Sequence, residues 1–584
     1  MSSSSEGAVP ASVSRLLTAL VRPEALLAFP LLFGLALRLR KAWADIPSVI
    51  ASIPDDAFYY FEIARNIANG RNVTFDGETL TNGFHPLWVV FLTPLYWITD
   101  DPDLAVHLAF TIAALLGVGT ALLVFAIVRT LTGNAWAGLA GATFYALHPQ
   151  IIIESINGME TALTVFFVAL TIWLFVRIVC GEERTSWASY TWLGASGGLM
   201  VLSRTDTAFI LPPVLLFVLV RGRFWEFFRD RSLRVWAGPV VAGGAALLVV
   251  TPWLVWTLVS FGTVVQVSGL AGSEFDREAF LAANGSSLTT QLERAWDVTS
   301  NTFFTQLPNL YFVPRGASTT LVLFVAGAVL VTMLLAPFAR QRGQVTKQIG
   351  LLLIPTLGVA AALLFHSAIR WHVREWYLAP AGVIGAALFG VTVSYAHSVL
   401  LRTCVAWRSR STAGGADSAG VEQQGAPSPA QAWRGAAMAS LYGVVLLLLI
   451  GVYGPQRSED WVRRLPHREN MLETALWIAD NTDPEGSVGS FNAGIIGYFS
   501  ERTVVNLDGV VNEDAFHARQ DGRLGEYIRE REIRYLADFP GSLFFAGCRE
   551  VPPLVCTRLT TVGTKLGYFG GAQLDVLEVI TDTS

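Results

Sequence analysis

Long apolar stretches, broken by short polar interruptions, dominate the chain up to about residue 454. They fall at 25–40, 84–99, 104–128, 135–153, 161–179, 188–203, 206–221, 236–259, 318–338, 349–368, 376–400 and 434–453. A hydrocarbon core of roughly 30 Å takes about 20 helical residues to cross. In lipid a spanning segment must satisfy its own backbone polar groups, which a helix does and a lone strand does not. The pattern predicts an α-helical polytopic membrane protein with about 11–13 transmembrane helices. Val, Ile and Phe are abundant, but the runs are too long for buried strands. The first run is followed by Arg38, Arg40 and Lys41 rather than a small-residue cleavage site, so it reads as an uncleaved anchor.

Beyond the last run the pattern changes. Polar and charged residues return, and short apolar segments at Ser487–Phe491, Thr503–Leu507 and Leu574–Ile580 read as strands. Residues 469–481 have helical spacing. The chain thus divides into a membrane domain, 1–454, and a small α/β domain, 455–584. Within the linker 402–433, the stretch 411–431 is rich in Gly, Ser, Ala and Pro and carries no periodicity, as expected of a flexible connection. No internal repeat is visible.

Charge then orients the chain. Of its 584 residues only 15% are charged, against about 25% in soluble proteins. The net charge of −5 gives no basic footprint for nucleic acid. Segment 221–234 carries five Arg against two acids, 339–347 has three cations and no acid, and 402–434 has four Arg against two acids. By the positive-inside rule these face the cytoplasm. The first long loop, 45–83, holds six acids against two Arg, and loop 260–317 five acids against three Arg. Both read as extracytoplasmic, as does the α/β domain. Twelve full crossings would return that domain to the cytoplasm, and the acidic turn Asp100, Asp101, Asp103 suggests instead that 84–99 is re-entrant or interfacial. Cys548 and Cys556 lie in the α/β domain, where an oxidising compartment would let them pair; two free buried thiols are the alternative.

The most informative stretch for chemistry is Ile53–Trp88. Asp55 and Asp56 open a helical segment, 57–69, on which Asp55, Tyr59, Glu62 and Asn66 share one side at helical spacing. The bland reading is two carboxylates stabilised by a helix N-terminus. The chemical one is a base at headgroup depth. Transfer of a sugar to a hydroxyl needs a carboxylate to take the acceptor's proton, and a lipid-phosphate leaving group needs a cation, for which the Arg fork is suited. Arg370 and Arg374, in RWHVREWY with Tyr377, are spaced to share a helix face. They are equally readable as snorkelling side chains between belt aromatics. Glu160 (in NGMET) and Arg204 with Asp206 (in SRTD) are ionisable residues at helix ends, functional candidates by default, unless the latter two simply pair. His85, preceding Pro86, either sits beside the acid pair or merely opens a helix. His372 is a further candidate ligand or base. Loop 260–317, with Trp296, Phe303, Phe304 and Tyr311, is long enough to cover a cavity. No phosphate-cradling G-x-x-x-x-G-K-[ST], H-E-x-x-H, CxxC or G-x-S-x-G motif occurs, which leaves nucleotide-driven transport unsupported.

The order of these features resembles the GT-C superfamily of integral-membrane glycosyltransferases. They are the acid pair Asp55 and Asp56, then YYFEIARNIANG, HPLW, GMETAL and SRTD. The chain is most similar to the protein O-mannosyltransferase and lipid A aminoarabinose transferase group. The resemblance implies a polyprenyl-phosphate sugar donor and a glycan, lipid or protein acceptor, with reaction at the extracytoplasmic membrane surface. It places Asp55 as the acidic base with Asp56 as helper or alternative. Tyr59, Glu62, His85, Glu160, Arg204, Asp206, Arg370, Arg374 and Tyr377 would shape the substrate pocket. Some relatives use a divalent cation, Mg or Mn, and whether this chain does is open. A membrane transporter using the same charges is the rival reading.

Overall fold

A computed structural model describes residues 22–181, 186–221, 234–311, 342–412, 466–545, 548–549, 554–563 and 573–580. The apolar runs 318–338 and 434–453 and most of the linker 402–433 lie outside them. Among the described residues five helices are long and apolar enough to cross a membrane: Pro102–Thr132, Thr161–Cys180, Trp236–Phe261, Lys347–Ile369 and Glu375–Ala396. Shorter apolar helices run over Pro86–Trp97, Ala135–Leu147 and Thr205–Val220. The chain is a multi-pass membrane protein.

Local signals set the helix ends. Asp101 accepts hydrogen bonds from the amides of Asp103 and Leu104, Pro102 occupies the first helical position, and Gly133 at φ 66° closes the 31-residue helix that follows. Asn134 caps the next helix in the same way, which makes a tight antiparallel hairpin. The run 84–99 breaks into the helix Pro86–Leu92 and a 3-10 turn, Thr93–Trp97. Arg38, read above as flanking the first anchor, is instead inside the bundle. It donates to the Ser155 hydroxyl and to the carbonyls of Gly34 and Ala146 at 2.9–3.1 Å. A Cβ on Gly117 would come within 2.8 Å of its Nε, so the absence of a side chain there makes room for the guanidinium.

The C-terminal domain is built on a six-stranded sheet of order β2-β1-β3-β6-β5-β4. Its strands are β1 (Val488–Ser490), β2 (Val504–Asn506), β3 (Tyr535–Asp538), β4 (Cys548–Arg549), β5 (Leu554–Val562) and β6 (Leu574–Ile580). The β1–β2 and β1–β3 pairs are parallel, while β6 is antiparallel to both β3 and β5. Asp538, wholly buried, gathers the Ser490 hydroxyl, the amides of Phe491, Asn492 and Phe539, and the Asn492 side chain, all at 2.7–3.0 Å. Cys556 on β5 is disulfide-bonded; the side chain of Cys548, on the adjacent strand, lies outside the described residues.

The domain does not dangle. The helix Ala493–Phe499 lies against the helix Asp56–Ala68 of the first long loop, and a single apolar core runs through both domains. Tyr498 is the pivot. Its ring meets Phe58 and Phe61, its hydroxyl is 2.9 Å from that of Tyr96, and Arg65 stacks over it at 4.7 Å.

Candidate active site

The helix of the first long loop begins at Asp56, with Asp55 as its cap. Successive helical positions diverge by about 100°, so the two carboxylates leave the chain in different directions. Asp55 accepts the Gly494 amide on one oxygen at 3.0 Å and the Ile495 amide on the other at 2.7 Å. It clamps the start of the Ala493–Phe499 helix, so close that a Cβ on Gly494 would lie 2.3 Å from its carbonyl oxygen. Burial pushes the Asp55 carboxyl up to about 7, against the pull of the two amides. Asp56 has no such partner and stays accessible to solvent. Protein surrounds it without covering it, and that desolvation raises its pKa against the attraction of Arg374, Arg468 and His372.

Two adjoining cavities hold those cations. One, of about 370 Å³, is walled by Lys41, Pro54, Glu154, Arg374, Glu375 and Arg468 among others. The second, of about 420 Å³, shares Gln306, Val373 and Arg374 with it and adds Arg294, Asp297, Asn301, Trp371 and His372. The expected helical pairing of Arg370 and Arg374 does not form. The membrane helix ends in a π turn, Phe365–Ile369, and Trp371 takes the left-handed conformation at φ 54°. The chain then runs extended into Arg374. Only Arg374 reaches the cavities, where its Nε donates to His372 Nε2 at 3.2 Å.

Beside Asp56 lies a buried charge network. Arg204 donates from Nε to both oxygens of Asp206 at 3.0 Å and from a terminal nitrogen to Glu160 at 2.9 Å. Its guanidinium stacks on Tyr377 at 4.1 Å. His366 Nε2 is 2.9 Å from Asp206, His85 Nε2 lies 3.8 Å from Glu160, and Tyr60 hydrogen-bonds the same carboxylate. The structure thus brings His85, Glu160, Arg204, Asp206 and Tyr377 together, and Arg204 does pair with Asp206. A buried cation shared by two carboxylates is held by mutual compensation.

The side of the helix bearing Asp55, Tyr59, Glu62 and Asn66 goes elsewhere. Tyr59 donates to the Phe491 carbonyl at 3.4 Å, and Asn66 donates to the carbonyls of Thr74 and Phe75. Glu62 pairs with Arg65 and lines a separate cavity of about 420 Å³ with Tyr96 and Arg502. This is the docking face for the C-terminal domain. Loop 260–317 contributes differently from expectation as well. Trp296 and Phe304 are exposed and Tyr311 is buried; the cavity wall is made by Arg294, Asp297, Asn301 and Gln306. Sequence reading missed His366 and Arg468. The imidazole of His366 at the end of an apolar run was the one available signal.

Among the described residues no group of three His, Cys, Asp or Glu side chains is placed to hold a metal ion. Glu160, whose charge acts on Asp56, and Asp206 are already engaged by Arg204. The described residues thus offer no free set of carboxylates that fits a divalent cation.

Part of the chain matches a family model, and the fold as a whole is shared with solved structures. Residues 85–256, less than a third of the chain, match the family described as dolichyl-phosphate-mannose-protein mannosyltransferase. Residues 460–568 match a family described only as a domain of unknown function. ArnT from Cupriavidus metallidurans, solved bound to undecaprenyl phosphate, shares the fold at TM-score 0.53 and 15% identity, over 94% of this chain and 98% of that one. The Archaeoglobus fulgidus oligosaccharyltransferase in its apo form gives TM-score 0.52 and 15% identity, over 90% of this chain and 71% of that one. No curated protein matches the sequence.

Proposed function

We propose that this protein is a membrane glycosyltransferase that moves a sugar from a polyprenyl-phosphate donor to an acceptor hydroxyl at the extracytoplasmic face of the membrane. Asp56 is the general base and Arg374 the principal phosphate-binding cation. The observation that carries this reading is a solvent-accessible carboxylate under the charge of Arg374, Arg468 and His372, cations that line two adjoining polar cavities, in a fold shared with ArnT bound to undecaprenyl phosphate.

The step balances without a cofactor. Asp56 takes the proton of the acceptor hydroxyl as its oxygen bonds to the anomeric carbon. The bond from that carbon to the phosphate oxygen breaks, and its electron pair leaves on the polyprenyl phosphate. Arg374, with Arg468 and Lys41 on the same cavity wall, neutralises the anion; charge-assisted hydrogen bonds to such a group are the strong ones. Asp55, with both oxygens occupied by amides, is not the proton acceptor in this scheme. The network of Glu160, Arg204, Asp206 and His366 packs behind Asp56, on which the Glu160 charge acts.

The test is incubation of purified protein with a panel of undecaprenyl-phosphate sugars and n-octyl glycosides as acceptors. The expected result is release of undecaprenyl phosphate with a glycosylated product, lost in Asp56→Asn. Flux of a lipid-linked sugar across vesicles with no donor consumed would establish the transporter instead.

A further inference from the structure

The segment after the spanning helix Trp236–Phe261 folds into a helical hairpin, Val267–Asn284 followed by Leu288–Asn301. Gln520 of the C-terminal domain donates to Glu274 of the first helix at 3.0 Å, so the hairpin lies at the membrane face where that domain sits. Ser287 caps the second helix by accepting the Thr290 amide at 3.1 Å. None of that helix's 14 residues is buried.

At about 100° per residue, the second helix has two unlike sides. Arg294, Asp297 and Asn301 share one, and they line the cavity of about 420 Å³ that also holds Trp371, His372 and Arg374. This side is pinned in place. The Arg294 guanidinium stacks over Phe280 at 4.9 Å, the Phe280 ring meets Trp371 edge-on at 5.9 Å, and Arg277 stacks over Trp371 at 5.1 Å. Leu288, Leu292 and Trp296, spaced i, i+4, i+8, form the opposite side and are 73, 61 and 67% exposed. Phe304, in the π turn Thr302–Gln306 that follows, is 76% exposed as well.

Where this apolar side points tells what covers it. Thr299 shares it, and its hydroxyl donates to that of Ser367 at 3.1 Å, near the end of the spanning helix Lys347–Ile369. That helix leaves Leu353, Leu357, Leu364 and Ile369 exposed along its own length, the surface a membrane helix gives to lipid. The apolar stripe of the hairpin thus continues from a lipid-facing surface and lies on the side toward the membrane. Exposed apolar patches mark contacts with a membrane or a protein. A helix with Leu and Trp on one face and charge on the other is the form that rests in the bilayer interface.

We propose that the helix Leu288–Asn301 lies in the plane of the leaflet on the C-terminal domain's side, and that the bilayer is the partner of its exposed stripe. Leu288, Leu292, Trp296 and Phe304 enter the boundary between headgroups and acyl chains. The leaflet then sets the depth of the cavity wall, because Arg294, Asp297 and Asn301 ride on the back of the same helix. The inference concerns a lipid surface and holds whether or not sugar is transferred.

The experiment places a benzophenone-bearing phenylalanine at Leu288, Leu292, Trp296 or Thr290, one at a time. The full chain is reconstituted in liposomes of phosphatidylethanolamine and phosphatidylglycerol, after thermal melting has shown each variant to be native. Thr290 lies about 160° around the helix from Leu292 and outside the cavity lining, so it reports the other side. After irradiation, phospholipid adducts are measured by mass spectrometry of the digested protein, and cross-linked dimers on a denaturing gel. Adducts are expected to be several-fold more abundant at 288, 292 and 296 than at 290. Equal yields at all four positions, no lipid adduct at 292 and 296, or capture of a second copy of the chain there in place of lipid would overturn the assignment.

Discussion

Asp55 and Asp56 are adjacent, identical in chemistry and opposite in fate. The first has both oxygens capped by amides of a helix about 440 residues away in sequence; the second is exposed and lies under the charge of Arg374, Arg468 and His372. What separates them is where the helix begins. A start at Asp56 turns the stripe of Asp55, Tyr59, Glu62 and Asn66 toward the C-terminal domain, and leaves Asp56 and Tyr60 facing the bundle. On the proposed reading the acid pair is one structural clamp and one base, and the same backbone turn separates the two.

The contrast can be broken most severely by neutralising each acid in turn. Asp56→Asn is expected to lower kcat about 10²- to 10⁴-fold, the usual worth of a positioned base, with the melting temperature little changed. Asp55→Asn should do the reverse, costing about 1–3 kcal/mol of stability by weakening a part-buried hydrogen-bonded carboxylate while retaining most of kcat. If Asp55→Asn were the dead variant with an unchanged melting curve, the assignment of roles would be inverted.

Next in size is Arg374→Met, expected to weaken donor use by about 10- to 100-fold in kcat/KM, in line with a charge-assisted contact of about 1.5–3 kcal/mol. Arg370→Met serves as the contrast and should change donor kinetics far less. Gly494→Ala sharpens the clamp side. The added methyl meets the Asp55 backbone, so the C-terminal domain should become more sensitive to limited proteolysis, by an amount set by how far the two helices separate. The smallest effect is on pH. Asp56 works as the ionised form, and burial raises its pKa. The acid limb of kcat should therefore lie above the ordinary carboxylate value of about 4, activity falling as pH drops through it. A limb at or below that value would show the group is not desolvated as described.

Much of the fold was legible. Apolar runs separated by capped turns are a strong signal in lipid, and the strands at Ser487–Phe491, Thr503–Leu507 and Leu574–Ile580 appeared close to where they were read. β3 and β5 were not read, because a buried strand such as Tyr535–Asp538 is four residues long and β5 is polar along much of its length. The charged network of Glu160, Arg204 and Asp206 was visible as ionisable residues at helix ends. The clamp on Asp55, from which the proposed allocation follows, was not, since one residue of helix register decides it and the deciding partner, Gly494, carries no side chain to announce itself. The i, i+4 spacing of Arg370 and Arg374 misled for a similar reason: a left-handed Trp371 is a conformation that sequence spacing does not reveal.

The Asp55 clamp also imposes an order on biogenesis. The ribosome emits the acid pair early, with the first membrane segments, whereas Gly494 and Ile495 emerge only after nearly the whole bundle has been threaded into lipid. Until then that carboxylate faces no amide donors and the cavity beside Arg374 lacks Arg468. A nascent or prematurely terminated chain is therefore an unfinished vessel, and competence arrives late, as a single docking event between the newest part of the polypeptide and one of the oldest.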